Sequence, residues 1–247
     1  MNLTYILQLA DTALILGHRL SEWTGHGPIL EQDMALTNIA LDLVGQARSL
    51  YQYAAEVEGK GRTEDDLAYL RNTTDFLNPL IVELPNGNFA DTIARQFFFD
   101  VYNHAFYTEL KKSKDATLSA IAEKSLKEVK YHLRYSSDWV RRLGDGTEES
   151  HQKMQTAIDN IWMYTGELTT MNETEKKMMD EGIGVNLEAI KPIWEEKVES
   201  VLAEATLTMP ESGWMQSGGK EGRHTEHLGF ILAEMQHLQR THPGATW

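Results

Sequence analysis

The sequence predicts an all-α protein with a ferritin-like four-helix core, one long crossover and additional C-terminal helices. Apolar and small residues recur near a 3.6-residue period over most of the 247 residues. All six prolines lie near predicted helix boundaries or in connectors. Two pairs of long helices are separated by one long connection at residues 60–88, which is the connectivity of a ferritin-like bundle. No long Ser-, Pro- or Gly-rich linker interrupts the pattern, so we expect a single domain over residues 1–247.

Most of the predicted helices begin or end at recognisable signals. The Gly-rich turn at residues 24–28 ends the first helix, and Gly59 with Gly61 ends the second. Thr63 is expected to cap a short helix whose first turn is acidic. Residues 74–88 are expected to be irregular or weakly helical. The remaining predictions are long helices at 3–23, 30–57, 89–112, 116–143, 147–167, 187–206 and 225–240, with a short charged helix at 173–181.

The composition excludes several classes of protein. The chain has no cysteine, so disulfides, thiolate metal sites and cysteine nucleophiles are impossible. A net charge of −14 argues against a general nucleic-acid-binding surface, which needs clustered Lys and Arg. No apolar run approaches the roughly 18 residues of a membrane span. Residues 1–17 mix polar residues into the apolar ones and lack a basic n-region. We therefore expect a cytoplasmic protein with neither nucleic acid nor membrane as a partner.

The four core helices present an incomplete metal-binding pattern. A carboxylate-bridged di-iron bundle takes Glu from one helix, Glu-x-x-His from the next, an acid from the third and Glu-x-x-His from the fourth. The corresponding positions here are Glu22, Leu43, Gln46, Asp100, Val129 and His132. Both Glu-x-x-His motifs are broken, because aliphatic side chains replace the acids. Two anionic ligands cannot neutralise two divalent ions. The sequence therefore predicts a vestigial site without metal or catalytic residues.

The polar residues at these positions need another role. Buried polar groups must be hydrogen-bonded, so we expect Glu22, Gln46, Asp100 and His132 to form a hydrogen-bonded cluster inside the bundle. An alternative remains open, since acid–His pairs at i, i+4, such as Asp100 with His104, can hold a single metal ion.

Several segments carry a specific resemblance. Residues 41–48 (LDLVGQAR), 84–96 (LPNGNFADTIARQ), 127–134 (KEVKYHLR) and 224–229 (HTEHLG) resemble the C subunits of bacterial phenylacetyl-CoA epoxidases. The resemblance covers essentially the whole chain. It implies a ferritin-like subunit of the ring 1,2-phenylacetyl-CoA monooxygenase complex of aerobic phenylacetate degradation.

The resemblance also implies the division of labour within such a complex. The A subunit carries the di-iron centre and epoxidises the ring with dioxygen and electrons from an NADPH-dependent reductase subunit. The C subunit binds no cofactor, is not an enzyme by itself, pairs with and supports the A subunit, and contacts the B subunit. The alternatives are an independent di-iron carboxylate oxidoreductase with an atypical metal site, and a module that binds CoA thioesters.

Two stretches are candidates for contact with a CoA thioester. The first lies before a proline in the crossover, where an aromatic ring could pack on the thioester arm. The second places two ammonium groups beside a soft apolar side chain, which suits a phosphate and a pantetheine. The candidate residues are Asp75, Phe76, Leu77, Asn78, Lys176, Lys177 and Met178.

Overall fold

The regular structure of the described chain is helical throughout. The computed structural model describes residues 3–211 and 213–245. Over these ranges it contains ten α-helices and no strand, which confirms the predicted all-α fold class. Within the same ranges no helix is long and apolar enough to cross a membrane. The helices are α1 (Leu3–Ser21), α2 (Leu30–Glu58), α3 (Glu64–Tyr69), α4 (Phe89–Leu110), α5 (Ala116–Gly144), α6 (Glu148–Trp162), α7 (Glu173–Asp180), α8 (Leu187–Glu204), α9 (Glu226–Met235) and α10 (His237–Thr241).

The order of the elements is that of a ferritin-like bundle. Two pairs of long helices, α1 with α2 and α4 with α5, are joined by one crossover that contains α3 and the 3-10 helices Thr73–Asp75 and Leu80–Glu83. By their internal contacts the residues form two compact units. The first unit takes the chain up to residue 84 and from residue 218 onwards, and the second takes residues 85–217. The single-domain organisation stays a prediction.

The first unit is built on the hairpin of α1 and α2. Gly17 marks a close approach of these helices, because a Cβ atom there would lie 3.1 Å from Cγ2 of Val44 and 3.3 Å from the carbonyl oxygen of Ala40. Helix α9 packs against α1 and against both 3-10 helices of the crossover. Helix α9 therefore packs on the N-terminal hairpin, although residues 59–225 lie between the end of α2 and the start of α9.

The second unit is centred on α4, which is buried on nearly all sides. Helices α5, α6 and α8 all pack against it. Its Phe98 ring lies 5.7 Å from the ring of Trp162 and 6.0 Å from that of Trp194, and the Trp194 indole nitrogen donates a hydrogen bond to the Phe98 carbonyl at 3.0 Å. Aromatic packing of this kind fixes α6 and α8 on the central helix.

The helix boundaries follow local capping chemistry. Thr63 caps α3 and accepts from the amide of Asp66, as predicted. The first helix ends two residues earlier than predicted, at Ser21. The sixth ends at Trp162 rather than near 167, and the predicted helix 225–240 is divided at Gln236 into α9 and α10. Such shifts at helix ends arise where tertiary contacts compete with the last turn.

Candidate functional site

The three vestigial positions of the first unit are not equivalent. Leu43 and Gln46 are buried on α2, whereas Glu22 follows the end of α1 and its side chain is 39% exposed. The Glu22 carboxylate accepts a hydrogen bond from Arg19 Nη1 at 2.9 Å. The expectation that Glu22 lies in a cluster inside the bundle was therefore wrong. The physical reason is that α1 stops one residue earlier, which leaves the carboxylate at the surface beside a guanidinium.

The second unit brings Asp100 and His132 into one buried polar cluster. Asp100 is fully buried on α4 and accepts a hydrogen bond from Gln96 Nε2 at 2.6 Å. Ser136 Oγ donates to the other Asp100 oxygen at 2.8 Å, and it lies 3.1 Å from the carbonyl oxygen of His132. Val129, one turn before His132, is buried and apolar. We name Gln96, Asp100, His132 and Ser136 the Asp100 cluster.

Sequence reasoning missed two members of the Asp100 cluster. Gln96 lies four residues before Asp100, and Ser136 lies four residues after His132, so each shares a helix face with the residue that it supports. That spacing was the available signal. Uncharged amide and hydroxyl groups are common on helices. The spacing is therefore informative only once α4 and α5 are known to face each other at these residues.

Burial dominates the acidity of Asp100. The loss of solvent raises the pKa of its carboxyl from 3.8 to about 7, against the opposing effects of the His132 charge and of the hydrogen bonds from Ser136 and Gln96. A carboxyl that holds a proton near neutral pH is a weak ligand for a cation, because metal binding requires the deprotonated form.

The donor set does not fit a di-iron centre. A centre of this kind needs four carboxylates and two imidazoles, whereas Leu43 and Val129 cannot coordinate and Gln46 carries no charge. In residues 3–211 and 213–245, no group of three or more His, Asp or Glu side chains comes together that could hold a metal ion. Asp100 has both of its oxygens engaged by Gln96 and Ser136. In this structure Leu43 and Val129 pack in the interior, and the Asp100 oxygens accept hydrogen bonds.

The first candidate stretch for CoA is largely interior. Phe76 and Asn78 are fully buried, and the Arg71 guanidinium lies 4.3 Å from the centre of the Phe76 ring. The Leu77 amide donates to Asp11 at 2.9 Å, and exposed Asp75 accepts from the amide of Asn72 at 2.9 Å. Other side chains of the first unit cover Phe76 and Asn78 in this structure, and their contact with a thioester arm stays a prediction.

The second candidate stretch keeps its charge but not its apolar contact. Lys176 and Lys177 are exposed on α7, whereas Met178 is buried, so the expected apolar partner for pantetheine is not at the surface. Lys176 donates to Glu173 at 2.9 Å, and this bond raises the pKa of its ammonium. The two lysines therefore offer an exposed positive charge and nothing that selects a CoA ester.

A buried ion pair in the first unit was not anticipated from the sequence. Asp11 is fully buried and receives a salt bridge from Arg71, and the Tyr51 hydroxyl donates to the same carboxylate at 2.5 Å. The Arg71 guanidinium also donates to the carbonyl oxygen of Asp75 at 2.8 Å. Burial raises the pKa of Tyr51 well above its usual value. This network joins α1, α2 and the crossover.

A second buried pair joins the crossover to the C-terminal segment. His224 Nδ1 lies 3.1 Å from a carboxylate oxygen of Glu83, and its Nε2 lies 2.8 Å from the carbonyl oxygen of Phe76. The other Glu83 oxygen accepts from the amide of Thr225 at 2.7 Å. Burial opposes the charged imidazole, but the bonds to Glu83 and Phe76 outweigh it and raise the pKa of His224. Oxygen acceptors lie at both ring nitrogens, an arrangement that favours the doubly protonated imidazolium of His224.

The known proteins that resemble this chain match it over nearly its whole length. The model of a family described as phenylacetic acid catabolic protein matches residues 1–247. The chain is also 51% identical over 243 residues to a protein of Escherichia coli (strain K12) that is named as the C subunit of 1,2-phenylacetyl-CoA epoxidase, and the match covers 98% of each chain.

Proposed function

Because this chain belongs to the phenylacetic acid catabolic protein family, we propose that it is the C subunit of a phenylacetyl-CoA epoxidase. In this role it is a non-catalytic structural subunit of a multicomponent di-iron monooxygenase. It pairs with the catalytic A subunit, supports that subunit's fold and contacts the B subunit. The A subunit supplies the di-iron centre that acts on the aromatic ring, with dioxygen and NADPH-derived electrons.

The observation that carries this proposal is the chemistry of the vestigial metal positions. Leu43 and Val129 are buried aliphatic side chains at positions where a working centre needs carboxylates. The carboxylate of Asp100 is satisfied by Gln96 and Ser136. A chain with these residues and 51% identity to an epoxidase subunit fits a supporting role better than that of an independent di-iron oxidoreductase.

The support role has a physical basis in the buried polar networks. Because a buried charge is costly when it is unpaired, each network holds its helices in one arrangement. The Asp100 cluster joins α4 to α5 through the hydrogen bond from Ser136 to Asp100. In the first unit, the pairs of Asp11 with Arg71 and of Glu83 with His224 fix the crossover. We propose that these networks hold the helices of the subunit together in the way that a metal centre would in a di-iron bundle.

Co-purification tests the proposal. The chain is co-expressed with the A and B subunits from its own genome, with a tag on the A subunit alone, and the complex is isolated by that tag. The proposal predicts that the untagged chain is recovered in a fixed ratio and that ring epoxidation of phenylacetyl-CoA falls when it is omitted. Full epoxidase activity of the A subunit without this chain would overturn the proposal.

A further inference from the structure

Helix α2 carries an outward row of exposed apolar side chains in addition to its buried face, and Val44 at the end of this row also lies beside Gly17 of α1. Its buried face, which includes Leu36, Leu43 and Leu50, packs on α1. The outward residues are exposed large hydrophobics. Their exposed fractions are 71% for Leu30, 57% for Met34, 64% for Leu41 and 39% for Val44. We name these four residues the α2 stripe.

The spacing of the α2 stripe is that of a helix-pairing seam. Leu30 and Met34 are four residues apart, and Leu41 and Val44 are three apart, with seven between Met34 and Leu41. Alternating steps of three and four place side chains along one line of a helix and match the grooves of a second helix. The stripe runs about 21 Å along the axis at 1.5 Å per residue. It is therefore shaped for a helix rather than for a small ligand.

Gly45 strengthens the argument for a close neighbour. It lies in the middle of α2 beside Leu41 and Val44, where glycine is less favourable than alanine for a helix. A Cβ atom built at this position meets no atom of the chain within 4 Å. Nothing within the described chain therefore requires a glycine at this point, whereas a helix that approaches α2 closely would.

The charges on α2 define the kind of partner. The helix contains five acidic residues and one basic residue, Arg48, and the whole chain has a net charge of −14. Two of the acids are engaged within the chain, because Glu58 pairs with Arg62 and Asp33 accepts from the amides of Gly25 and Gly27. Two copies of the chain that met through this face would bring like charges together, which is unfavourable. A partner whose apolar helix is flanked by lysine and arginine would bring opposite charges together.

We propose that the α2 stripe is the docking face for a long helix of a different subunit, whose apolar seam is flanked by basic residues. This inference rests on the proposed function, which makes the chain a subunit of a larger complex. It goes beyond that function because it assigns the surface and the chemistry of the contact.

Substitution within the stripe tests the proposal. Leu41→Glu is compared with Ile193→Glu, a control at an apolar residue of α8 that is 54% exposed. Each variant is co-expressed with the tagged A and B subunits, and the dissociation constant of the purified complex is measured by sedimentation. We expect Leu41→Glu to weaken assembly about tenfold or more, as for a central interface residue, and Ile193→Glu to leave it unchanged. Gly45→Leu provides a second variant, which should weaken assembly without lowering the melting temperature of the isolated chain, because leucine is a better helix former than glycine.

The outcomes separate this inference from the function on which it rests. If the wild-type complex forms and both stripe variants assemble normally, the docking face is wrong and the subunit role stands. If the wild-type chain forms no complex, the subunit role fails and the docking face fails with it. If the isolated chain forms a dimer that Leu41→Glu dissociates, the occupant is a second copy and the proposed heterologous partner is overturned.

Discussion

His224 and Glu83 form a buried charge pair although 141 residues separate them in the sequence. The imidazole ring also contacts the carbonyl oxygen of Phe76, so both of its nitrogens face acceptors. Glu83 is fully buried and accepts in addition from the amide of Thr225. The residues that directly precede α9 are thereby bound to the crossover through charge-assisted hydrogen bonds, which are stronger than neutral ones.

The His224 pair predicts a loss of stability at alkaline pH. The pKa of His224 in the folded chain is raised above 6.5, so its contribution is complete below pH 6.5 and is lost as the pH rises through the folded value. We expect the free energy of unfolding of the wild type to fall from pH 6.5 towards pH 9, and His224→Gln to remove this fall. Denaturant titrations at several pH values measure it, with exposed His242→Gln as the control. Parallel pH profiles for wild type and His224→Gln would refute the role of the imidazolium.

Asp100 predicts a pH dependence in a lower window. Its pKa rises from 3.8 to about 7 on folding, so the folded state binds the proton more tightly. Stability therefore falls as the pH rises from about 4 to 7, by up to about 4 kcal/mol at 1.36 kcal/mol per pKa unit. Asp100→Asn, which cannot ionise, should show no such fall, whereas the exposed control Asp180→Asn should keep it. The prediction fails if Asp100→Asn retains the wild-type slope in this window.

Ser136 predicts a stability effect of a single buried hydrogen bond. Its hydroxyl donates to Asp100 at 2.8 Å inside the second unit. Ser136→Ala leaves a buried oxygen of Asp100 without this donor and should cost roughly 1–3 kcal/mol of unfolding free energy. Ser200→Ala, whose exposed hydroxyl donates to Glu204 at 3.2 Å, should change stability by about 0.5 kcal/mol or less. Equal midpoints of urea denaturation for the two variants would contradict this.

The lysines of α7 give a test of direct CoA contact. Lys176 and Lys177 are exposed, and CoA carries several phosphate charges, so Lys176→Glu with Lys177→Glu should raise the apparent KM of the complex for phenylacetyl-CoA several-fold at low ionic strength. Lys124→Glu with Lys127→Glu on α5 is the matched control, because these lysines are also exposed. An unchanged KM in the α7 variant would remove α7 from the CoA site.

Local signals predicted much of the fold but little of the buried chemistry. The second helix was expected at 30–57 and spans Leu30–Glu58, because its apolar period and its terminal glycine are local features. The crossover was expected to be irregular, yet it contains two 3-10 helices and buries Phe76 and Asn78. Their burial depends on partners far away in the sequence, such as His224, which local patterns do not reveal.

The metal positions were predictable to the extent that they follow a fixed helical spacing. Leu43 and Val129 are buried on the helices where the pattern put them, and Asp100 accepts a hydrogen bond from Ser136 on the helix that carries His132. Glu22 lies at the surface because α1 ends at Ser21, one residue before it, and a helix end cannot be placed to the residue from local patterns. Gln96 and Ser136 were missed because each matters only through its hydrogen bond to Asp100. Which residues of α4 and α5 lie opposite each other depends on the tertiary packing of the two helices, which the sequence pattern does not give.

The iron content of the purified chain tests the central claim most directly. The chain is expressed alone in iron-supplemented medium, dialysed, and analysed by plasma mass spectrometry beside the complex that contains the A subunit. We predict that the isolated chain holds no stoichiometric iron, because its donor set lacks the carboxylates that a di-iron centre requires, and that the iron of the complex follows the A subunit. About two iron atoms per isolated chain, retained through dialysis, would contradict the account.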